Sequence, residues 1–309
     1  TAFVRFNSLF ATTVCISTPL RFGLSTLKVE KAEAAKNLRW DTLQYSRRDL
    51  WSRNVIIMVL FVMMLLFWSV PVTAIQVLAN LNTFCDVTKW NCEKVFGQNL
   101  MSFVQAWFAV LILDVWLISL PGLCRTLSSW QYKTTLAKVE QHTLRKYFDC
   151  LLCMVLLVSV FAGIGSYNIN RFVHDLAHSA SSWLHILAEG LSRMSTYFIL
   201  YVLLNALIWA PLEFYRPGYW GDLIFDPSDR HRFSFSTRYP KIMLILIICL
   251  AYGAMTPLIW IFGFIYFAFI MLINTYQQTF CFIPHFDTGA MVFPIIFDRI
   301  VIGMHLSVV

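Results

Sequence analysis

Two acidic residues, Asp114 and Glu213, lie within or directly after long apolar runs of this chain. Asp114 falls near the middle of the run 100–124, and Glu213 follows the run 194–212. An ionised carboxylate at the centre of a bilayer costs about 2.5 to 3.5 kcal/mol on insertion scales, so Asp114 should face either a wet cavity or a bonding partner. A cation pathway is one such cavity. The alternative is a carboxyl group that bonds to another helix or is held protonated.

Two pairs of cysteines offer a second kind of chemistry. Cys150 and Cys153 have the spacing of a redox motif. They begin an apolar helix without a surrounding β-α-β pattern, so we expect two membrane-buried thiols rather than redox or metal chemistry. Cys85 and Cys92 lie in one short segment between apolar runs. They either form a disulfide that closes a small loop or remain free.

Patterns typical of enzymes and metal sites are otherwise missing from the sequence. Three histidines recur at helical spacing, but a metal site needs more convergent ligands, so we expect them to pack at the membrane interface. These are His174, His178 and His185. There is no glycine-rich phosphate loop, nucleophile elbow or zinc-protease helix. We therefore predict that the protein is not an enzyme and has neither a metal site nor a cofactor.

The composition of the chain is that of a membrane protein. Of its 309 residues, 58% are hydrophobic, 16% aromatic and only 13% charged. The hydrophobic residues form long blocks, which indicates transmembrane helices and argues against a membrane β-barrel. The sequence therefore predicts an all-α, integral, multi-pass membrane protein, and it excludes a soluble globular domain.

About seven membrane spans are predicted within residues 54–309. They cover residues 54–81, 100–124, 150–170, 194–212, 242–256, 260–283 and 291–309. The uncharged run 242–283 would be about 63 Å long as one helix, which is twice the thickness of the hydrocarbon core. It should form two antiparallel helices, with residues Thr256 to Trp260 in a turn marked by Pro257.

The formal net charge of +7 reflects membrane topology. Most of the 24 Lys and Arg residues lie in the segments 1–53, 125–149 and 213–241. The positive-inside rule therefore places these segments in the cytosol. We expect the basic residues to contact anionic lipids and expect no nucleic acid as a partner.

Residues 1–53 differ from the rest of the chain. Residues 1–6 alternate like a β-strand, residues 10–17 suggest a short helix or another strand, and residues 28–43 form a charged amphipathic stretch. We interpret this segment as the end of a small cytosolic α/β domain with its linker, and the chain as a piece of a longer protein.

Several strings, in order, resemble the hyperosmolality-gated calcium-permeable channel family, also called stress-gated cation channels, which is similar in fold to the anoctamins. The strings occur at residues 2–6, 39–43, 120–123, 145–148, 195–198, 238–240, 251–258, 262–267, 287–289 and 293–294. The resemblance implies an anoctamin-like helix bundle with eleven helices and a cytosolic domain between the third and fourth. This chain would then contain the fourth to tenth helices.

The resemblance also implies a function. It suggests a calcium-permeable, non-selective cation channel that is gated mechanically or osmotically. Its partners would be membrane lipids, permeating cations and a second copy in a homodimer. Each subunit would have its own pore, built from the first five spans present here. The plasma membrane is the expected location, with an organelle membrane as the alternative.

The fourth span corresponds in this resemblance to the gating helix of the pore. Asn205, Ala206, Pro211 and Glu213 lie in it or at its end. Glu213 matches an acid that faces the ion path in relatives, although it could also be an ordinary helix end. Ala206 stands where glycine is usual, so bending should depend on Pro211, which removes a helical hydrogen-bond donor.

Further polar side chains lie inside or near the spans. Gln76 in the first span and Ser159 in the third either line water or hydrogen-bond between helices. Asp298 and Arg299 in the seventh span are expected to pair with neighbouring groups and to have a structural role.

Two functions compete with a channel. The first is a lipid scramblase, which the anoctamin-like fold allows if a polar furrow opens to the bilayer. The second is a structural membrane subunit with a closed bundle and a dry interior.

Overall fold

The computed structural model describes residues 3–18, 20–22, 25–27, 29, 31–32, 35–78, 107, 110–157, 194–215, 234–281 and 290–308. These residues are mostly helical, as the sequence predicts. Five of their helices are long and apolar enough to cross a membrane: Arg48–Thr73, Val110–Ser129, Met194–Tyr215, Phe235–Gly253 and Leu258–Phe280. The chain is therefore an integral, multi-pass membrane protein.

The N-terminal segment contains small elements. Helix α1 covers Leu9–Ser17 and begins at Ser8, whose hydroxyl accepts a hydrogen bond from the Ala11 N–H. Strands β1 (Leu20–Phe22) and β2 (Ser25–Leu27) form an antiparallel pair. Residues 3–6, predicted as a strand, lie outside the helices and strands. Two 3₁₀ turns follow at Ala35–Asn37 and Trp40–Gln44.

Long helices make up most of the described chain. They are α2 (Arg47–Leu78), α3 (Val110–Ser129), α4 (Leu136–Leu151), α5 (Met194–Tyr215), α6 (Phe235–Gly253), α7 (Leu258–Tyr276) and α8 (Val292–Val308). Helices α4 and α7 continue as π-helix over Leu152–Leu157 and Gln277–Cys281. Residues 118 and 119 interrupt α3, because Pro121 has no N–H to donate to the carbonyl of Leu117.

Helices α6 and α7 form the predicted antiparallel pair. The break lies at residues 254–257, slightly before the predicted turn, because the chain turns directly after Gly253 and Pro257 precedes the first residue of α7. A side chain at Gly253 would collide with the Trp260 ring, and a Cβ at Gly263 would lie 2.8 Å from the Cys249 sulfur. The two glycines therefore allow close packing of the helices.

The core lies where α3, α4, α5 and α6 meet. Its largest fully buried side chains include Tyr147, Phe148, Phe198 and Tyr252. The rings of Phe198 and Tyr252 are 4.5 Å apart between centroids. By contrast, α2 and α7 expose many large apolar side chains, including Phe67, Phe264 and Met271. These outer surfaces have the composition of lipid-facing helices.

The segment before α2 is attached to the connection between α3 and α4. The Arg39 N–H donates to the carbonyl of Thr134 at 2.9 Å, and the Arg39 guanidinium donates to the carbonyl of Ser129 at 2.9 Å. The ring of Tyr45 stacks on that of Tyr132 at 4.5 Å, with the guanidinium of Arg53 4.1 Å from the Tyr132 ring centre. These contacts fix the start of α2 relative to α4.

Candidate functional site

A cavity of about 320 Å³ lies between α3, α5, α6 and α7. Polar and charged side chains line it together with apolar ones. The polar lining consists of Asn205, Trp209, Glu213, Thr237, Arg238, Lys241 and Tyr266. A cavity with this lining can hold water and ions, whereas a dry helix bundle has no such space.

Helix α5 changes its hydrogen bonding beside this cavity. Residues Asn205–Trp209 form a π-helical segment, and the Ala210 N–H donates to the carbonyl of Asn205, five residues earlier. The residue after Ala210 is Pro211, which has no backbone N–H and therefore donates no helical hydrogen bond. The helix is therefore weakened at two neighbouring places, and π-helical segments of this kind occur often at functional sites.

The predicted gating residues are arranged around this weakened segment. Ala206 is buried in it, where the resemblance expects glycine. Asn205 is also buried, borders the cavity and donates from its side-chain amide to the carbonyl of Tyr201 at 2.9 Å. Pro211 is exposed and follows the π-helical segment. The sequence indicated bending at Pro211, but it gave no sign of the π-helical segment before it.

Asp114 bonds across two helices. The indole N–H of Trp209 on α5 donates to the Asp114 carboxylate on α3 at 2.8 Å. Asp114 also lines a small cavity of about 20 Å³, whose other lining residues include Tyr147, Asn205 and Lys241. This volume is enough for about one water molecule. Asp114 thus has a bonding partner on another helix and lies beside a small polar cavity.

Lys241 was not singled out from the sequence, where it only marks the start of an uncharged run. It lines both cavities, and Asp114 lines the smaller one with it. The two charges belong to α3 and α6, which are far apart in sequence. The sequence offered one indication that Lys241 lies at the site: it follows Arg238 by three residues, at the beginning of a span.

Glu213 forms an ion pair with Arg238 of α6, at 3.0 Å. The same guanidinium donates to the side-chain oxygens of Gln277, at 2.6 Å, and Asn274, at 3.3 Å. The Gln277 amide in turn donates to the backbone carbonyl of Glu213 at 2.7 Å. We call Glu213, Arg238, Asn274 and Gln277 the polar clasp. It joins the end of α5 to the start of α6 and the end of α7.

The polar clasp bears on the two interpretations of Glu213. The carboxylate borders the cavity, and its charge is compensated by Arg238. In the sequence, Arg238 is recognised only as part of the string 238–240, and nothing singles out Gln277 or Asn274, because contacts between helices so far apart in sequence have no local pattern.

The other predicted residues contribute less to this site. Gln76 lies on helix α2, but its side chain is outside the described residues, as are Ser159, Cys85, Cys92 and the three histidines.

Arg299 pairs with Asp149 of α4 at 2.7 Å, which is a structural contact between α8 and α4. Cys150 is a buried free thiol, 3.8 Å from the Cys124 sulfur, and Cys153 is a half-buried one. No cluster that could hold a metal occurs among the described residues.

Comparison with known proteins gives a consistent family. Residues 53–309 match the family described as "Calcium-dependent channel, 7TM region, putative phosphate". The chain is 28% identical to "Calcium permeable stress-gated cation channel 1" of Schizosaccharomyces pombe, over 98% of this chain and 39% of that protein. It is 23% identical to "Hyperosmolality-gated Ca2+ permeable channel 1.5" of Arabidopsis thaliana, over 99% of this chain and 42% of that protein.

A third relative is "CSC1-like protein ERD4" of Brassica juncea, with 26% identity over 90% of this chain and 40% of that protein. The chain thus spans about two fifths of the length of these curated relatives. The match covers every helix that lines the cavity, and it confirms the resemblance on which the sequence interpretation relied. The chain belongs to the calcium-dependent channel family, together with relatives named as stress-gated and hyperosmolality-gated calcium-permeable channels.

Proposed function

We propose that this chain is the pore-forming part of a calcium-permeable, non-selective cation channel. The observation that carries the proposal is the polar cavity between α3, α5, α6 and α7, bordered by Asn205, Glu213 and Lys241. The names of the relatives, which describe calcium-permeable cation channels, support the same activity. Membrane lipids and permeating cations are the proposed partners, and a homodimer is the proposed assembly.

The proposed stimulus is membrane tension, produced mechanically or osmotically. Tension favours the conformation with the larger area in the membrane, so the helix that moves must be able to bend. Helix α5 meets this requirement because its π-helical segment at Asn205–Trp209 is followed by Pro211. The polar clasp holds the end of α5 beyond this point and opposes its displacement.

The proposed orientation places the polar clasp at the cytosolic side of the membrane. This follows from the excess of Lys and Arg in the segments 1–53, 125–149 and 213–241. An engineered cysteine in the segment 82–98 should be labelled by a membrane-impermeant thiol reagent added outside intact cells. Labelling of a cysteine placed in 216–233 under the same conditions would reverse the orientation.

A lipid scramblase is the second candidate, and one observation favours it. Ile118 and Leu212 line the cavity, and both are about half exposed, at 51% and 43%. The cavity wall therefore includes accessible apolar side chains as well as polar ones. A polar furrow with such a wall could accept a lipid headgroup.

One preparation separates these functions. The full-length protein is reconstituted into liposomes, and currents are recorded from patches under suction with calcium as the charge carrier. In parallel, the same liposomes are tested for transfer of a fluorescent lipid between leaflets. We expect suction-activated cation currents. Lipid transfer without current would favour the scramblase, and the absence of both would leave a structural subunit.

A further inference from the structure

Two cysteine thiols meet at the interface between α3 and α4. Cys124 and Cys150 are both fully buried, and their sulfur atoms are 3.8 Å apart. Both are free thiols. They lie 26 positions apart in sequence and on different helices, so the contact is a product of tertiary packing. The redox-motif spacing in the sequence pairs Cys150 with Cys153 of its own helix, whereas the structure places Cys124 against Cys150.

The separation of the two sulfurs is short enough for a disulfide to form. A disulfide bond is about 2.05 Å long, so each sulfur must move by about 0.9 Å to close the gap. This movement is small compared with the shifts of about 1 to 2 Å that packed helices undergo in conformational changes. Two buried thiols also pack well as small apolar groups, so a redox role needs a second feature.

A buried lysine provides this second feature. Lys146 precedes Cys150 by four residues, so the two side chains occupy neighbouring positions on one face of α4. The Lys146 ammonium nitrogen is buried from solvent and has no hydrogen-bond partner among the described residues. Burial lowers the pKa of Lys146 to about 8, a shift that the neighbouring Cys124 partly opposes. The lysine is therefore mostly charged at neutral pH, in the vicinity of both thiols.

The acidic residues of α4 do not compensate this charge. Glu140 and Asp149 are the two acids of the helix, and they pair with Arg125 and Arg299 instead. A buried cation without an anion is costly. A thiolate is an anion that either cysteine can supply. A lysine beside a cysteine favours the thiolate, which is the nucleophilic form of the side chain.

We propose that Cys124 and Cys150 are a redox-active dithiol that hydrogen peroxide oxidises to a disulfide, with Lys146 stabilising the attacking thiolate. In the first step the thiolate attacks one peroxide oxygen and the O–O bond breaks. The sulfur becomes a sulfenic acid, and the other oxygen leaves as water with the proton that the thiol gave up. In the second step the other thiol attacks the sulfenic sulfur, so that the S–S bond forms and the S–O bond breaks. A second water leaves, and two electrons have passed from the dithiol to the peroxide.

The disulfide would cross-link α3 to α4 beside the small cavity. Tyr147, three residues before Cys150 on α4, lines this cavity together with Asp114 of α3. The thiols lie toward the side of the bundle that the basic residues assign to the cytosol. Cytosolic disulfides are usually transient and redox-sensing, because the thiol pool there reduces them again. Since both sulfurs are buried, the oxidant reaches them only when α3 and α4 separate locally, so the reaction should be slower than that of an exposed thiol.

The test uses the full-length protein in liposomes, treated with hydrogen peroxide and then with an alkylating reagent that blocks the remaining thiols. Proteolysis at the basic residues between 125 and 146 separates the two cysteines, so their peptides stay joined only through a disulfide, which mass spectrometry detects. The variants are Cys124→Ala and Cys150→Ala. Cys153→Ala is the matched control, because it removes a thiol one turn away on the same helix. Lys146→Gln and Lys146→Arg test the role of the lysine.

We expect peroxide to join the two peptides in the wild type and in Cys153→Ala, and a reducing thiol to separate them. Neither Cys124→Ala nor Cys150→Ala should give the joined peptides. Lys146→Gln should form the disulfide several-fold more slowly than the wild type, because the charge that stabilises the thiolate is lost. Lys146→Arg should restore the rate. The wild-type result and its reversal do not depend on the folding of any variant.

Two results would overturn the proposal. One is a peroxide-treated wild type without joined peptides, in which both thiols are alkylated once the protein is unfolded. The other is a joined peptide in Cys150→Ala, which would assign the disulfide to Cys153. An unchanged rate of disulfide formation in Lys146→Gln would overturn the role given to the lysine.

Discussion

Replacing Glu213 by glutamine tests whether the polar clasp restrains α5, the proposed gating helix. The substitution keeps the volume of the side chain and removes its charge. It breaks the ion pair with Arg238 but leaves the bonds from Arg238 to Gln277 and Asn274. If the clasp must open when α5 moves, its loss should favour the conducting state.

The size of the effect follows from the exposure of the pair. The side chains of Arg238 and Glu213 are 18% and 32% exposed. A partly exposed ion pair contributes about 1 kcal/mol at most. A change of that size shifts a two-state equilibrium about fivefold. The suction needed for half-maximal current should therefore fall, while unitary conductance changes little because Arg238 already compensates the charge of Glu213.

The assay is patch recording from liposomes that contain the full-length protein, with suction ramps at low and high salt. Arg238→Gln and the double variant complete a double-mutant cycle, and Asp298→Asn on α8 is the control for loss of an exposed acid. Additive effects of the two clasp variants would refute the reasoning. A fall in unitary conductance at low salt, without a shift in threshold, would instead make Glu213 an unpaired pore charge.

The remaining predictions concern other parts of the bundle. Asp114→Asn removes a negative charge beside Lys241 and should lower the cation-to-anion permeability ratio, measured from reversal potentials, roughly tenfold. The reason is that a unit charge about 10 Å away contributes about 1 to 2 kcal/mol at an effective dielectric constant of about 20. An unchanged permeability ratio would remove Asp114 from the pathway. Gly263→Ala should destabilise the protein by about 1 to 3 kcal/mol in thermal unfolding, because the new Cβ would lie 2.8 Å from the Cys249 sulfur. Gly122→Ala is the matched control and should not change the stability, because its Cβ meets nothing within 4 Å. The free energy of unfolding of Lys146→Gln should exceed that of the wild type at neutral pH, and the difference between the two should shrink as the pH rises above about 8. The cause is the lowered pKa of Lys146, because of which the folded protein loses this proton at a lower pH than the unfolded chain does. A difference in unfolding free energy that stays constant up to pH ~10.5 would contradict the shifted pKa.

Features set by length and local composition could be predicted from the sequence. The run 242–283 is too long for one span, and Gly253 with Pro257 marks the break, so the α6–α7 hairpin follows from the residues alone. Asp114 needs a partner or a cavity wherever it lies inside a membrane helix. Its actual partner, Trp209, depends on how α3 and α5 pack, and this has no local signal.

Contacts between distant helices account for what the sequence did not reveal. Arg238 reaches Glu213 on one helix and Gln277 on another, and all three residues look ordinary in their own segments. The π-helical segment that contains Ala206 depends on tertiary packing as well as on Pro211. The burial of Lys146 is equally invisible in a sequence that suggests only a basic helix exposed to the cytosol.

Chemical modification of the cavity lining tests most directly whether ions pass between α3, α5, α6 and α7. Thr237 lines the cavity, whereas Thr275 is exposed at about the same depth on α7, and each hydroxyl donates only to a nearby backbone carbonyl. Each residue is replaced by cysteine in the full-length protein, and unitary current is recorded under suction before and after a positively charged methanethiosulfonate reagent. We predict that modification reduces the unitary cation current of Thr237→Cys and leaves that of Thr275→Cys and the wild type unchanged. An undiminished current through Thr237→Cys, with labelling verified by mass spectrometry, would contradict the proposed pathway.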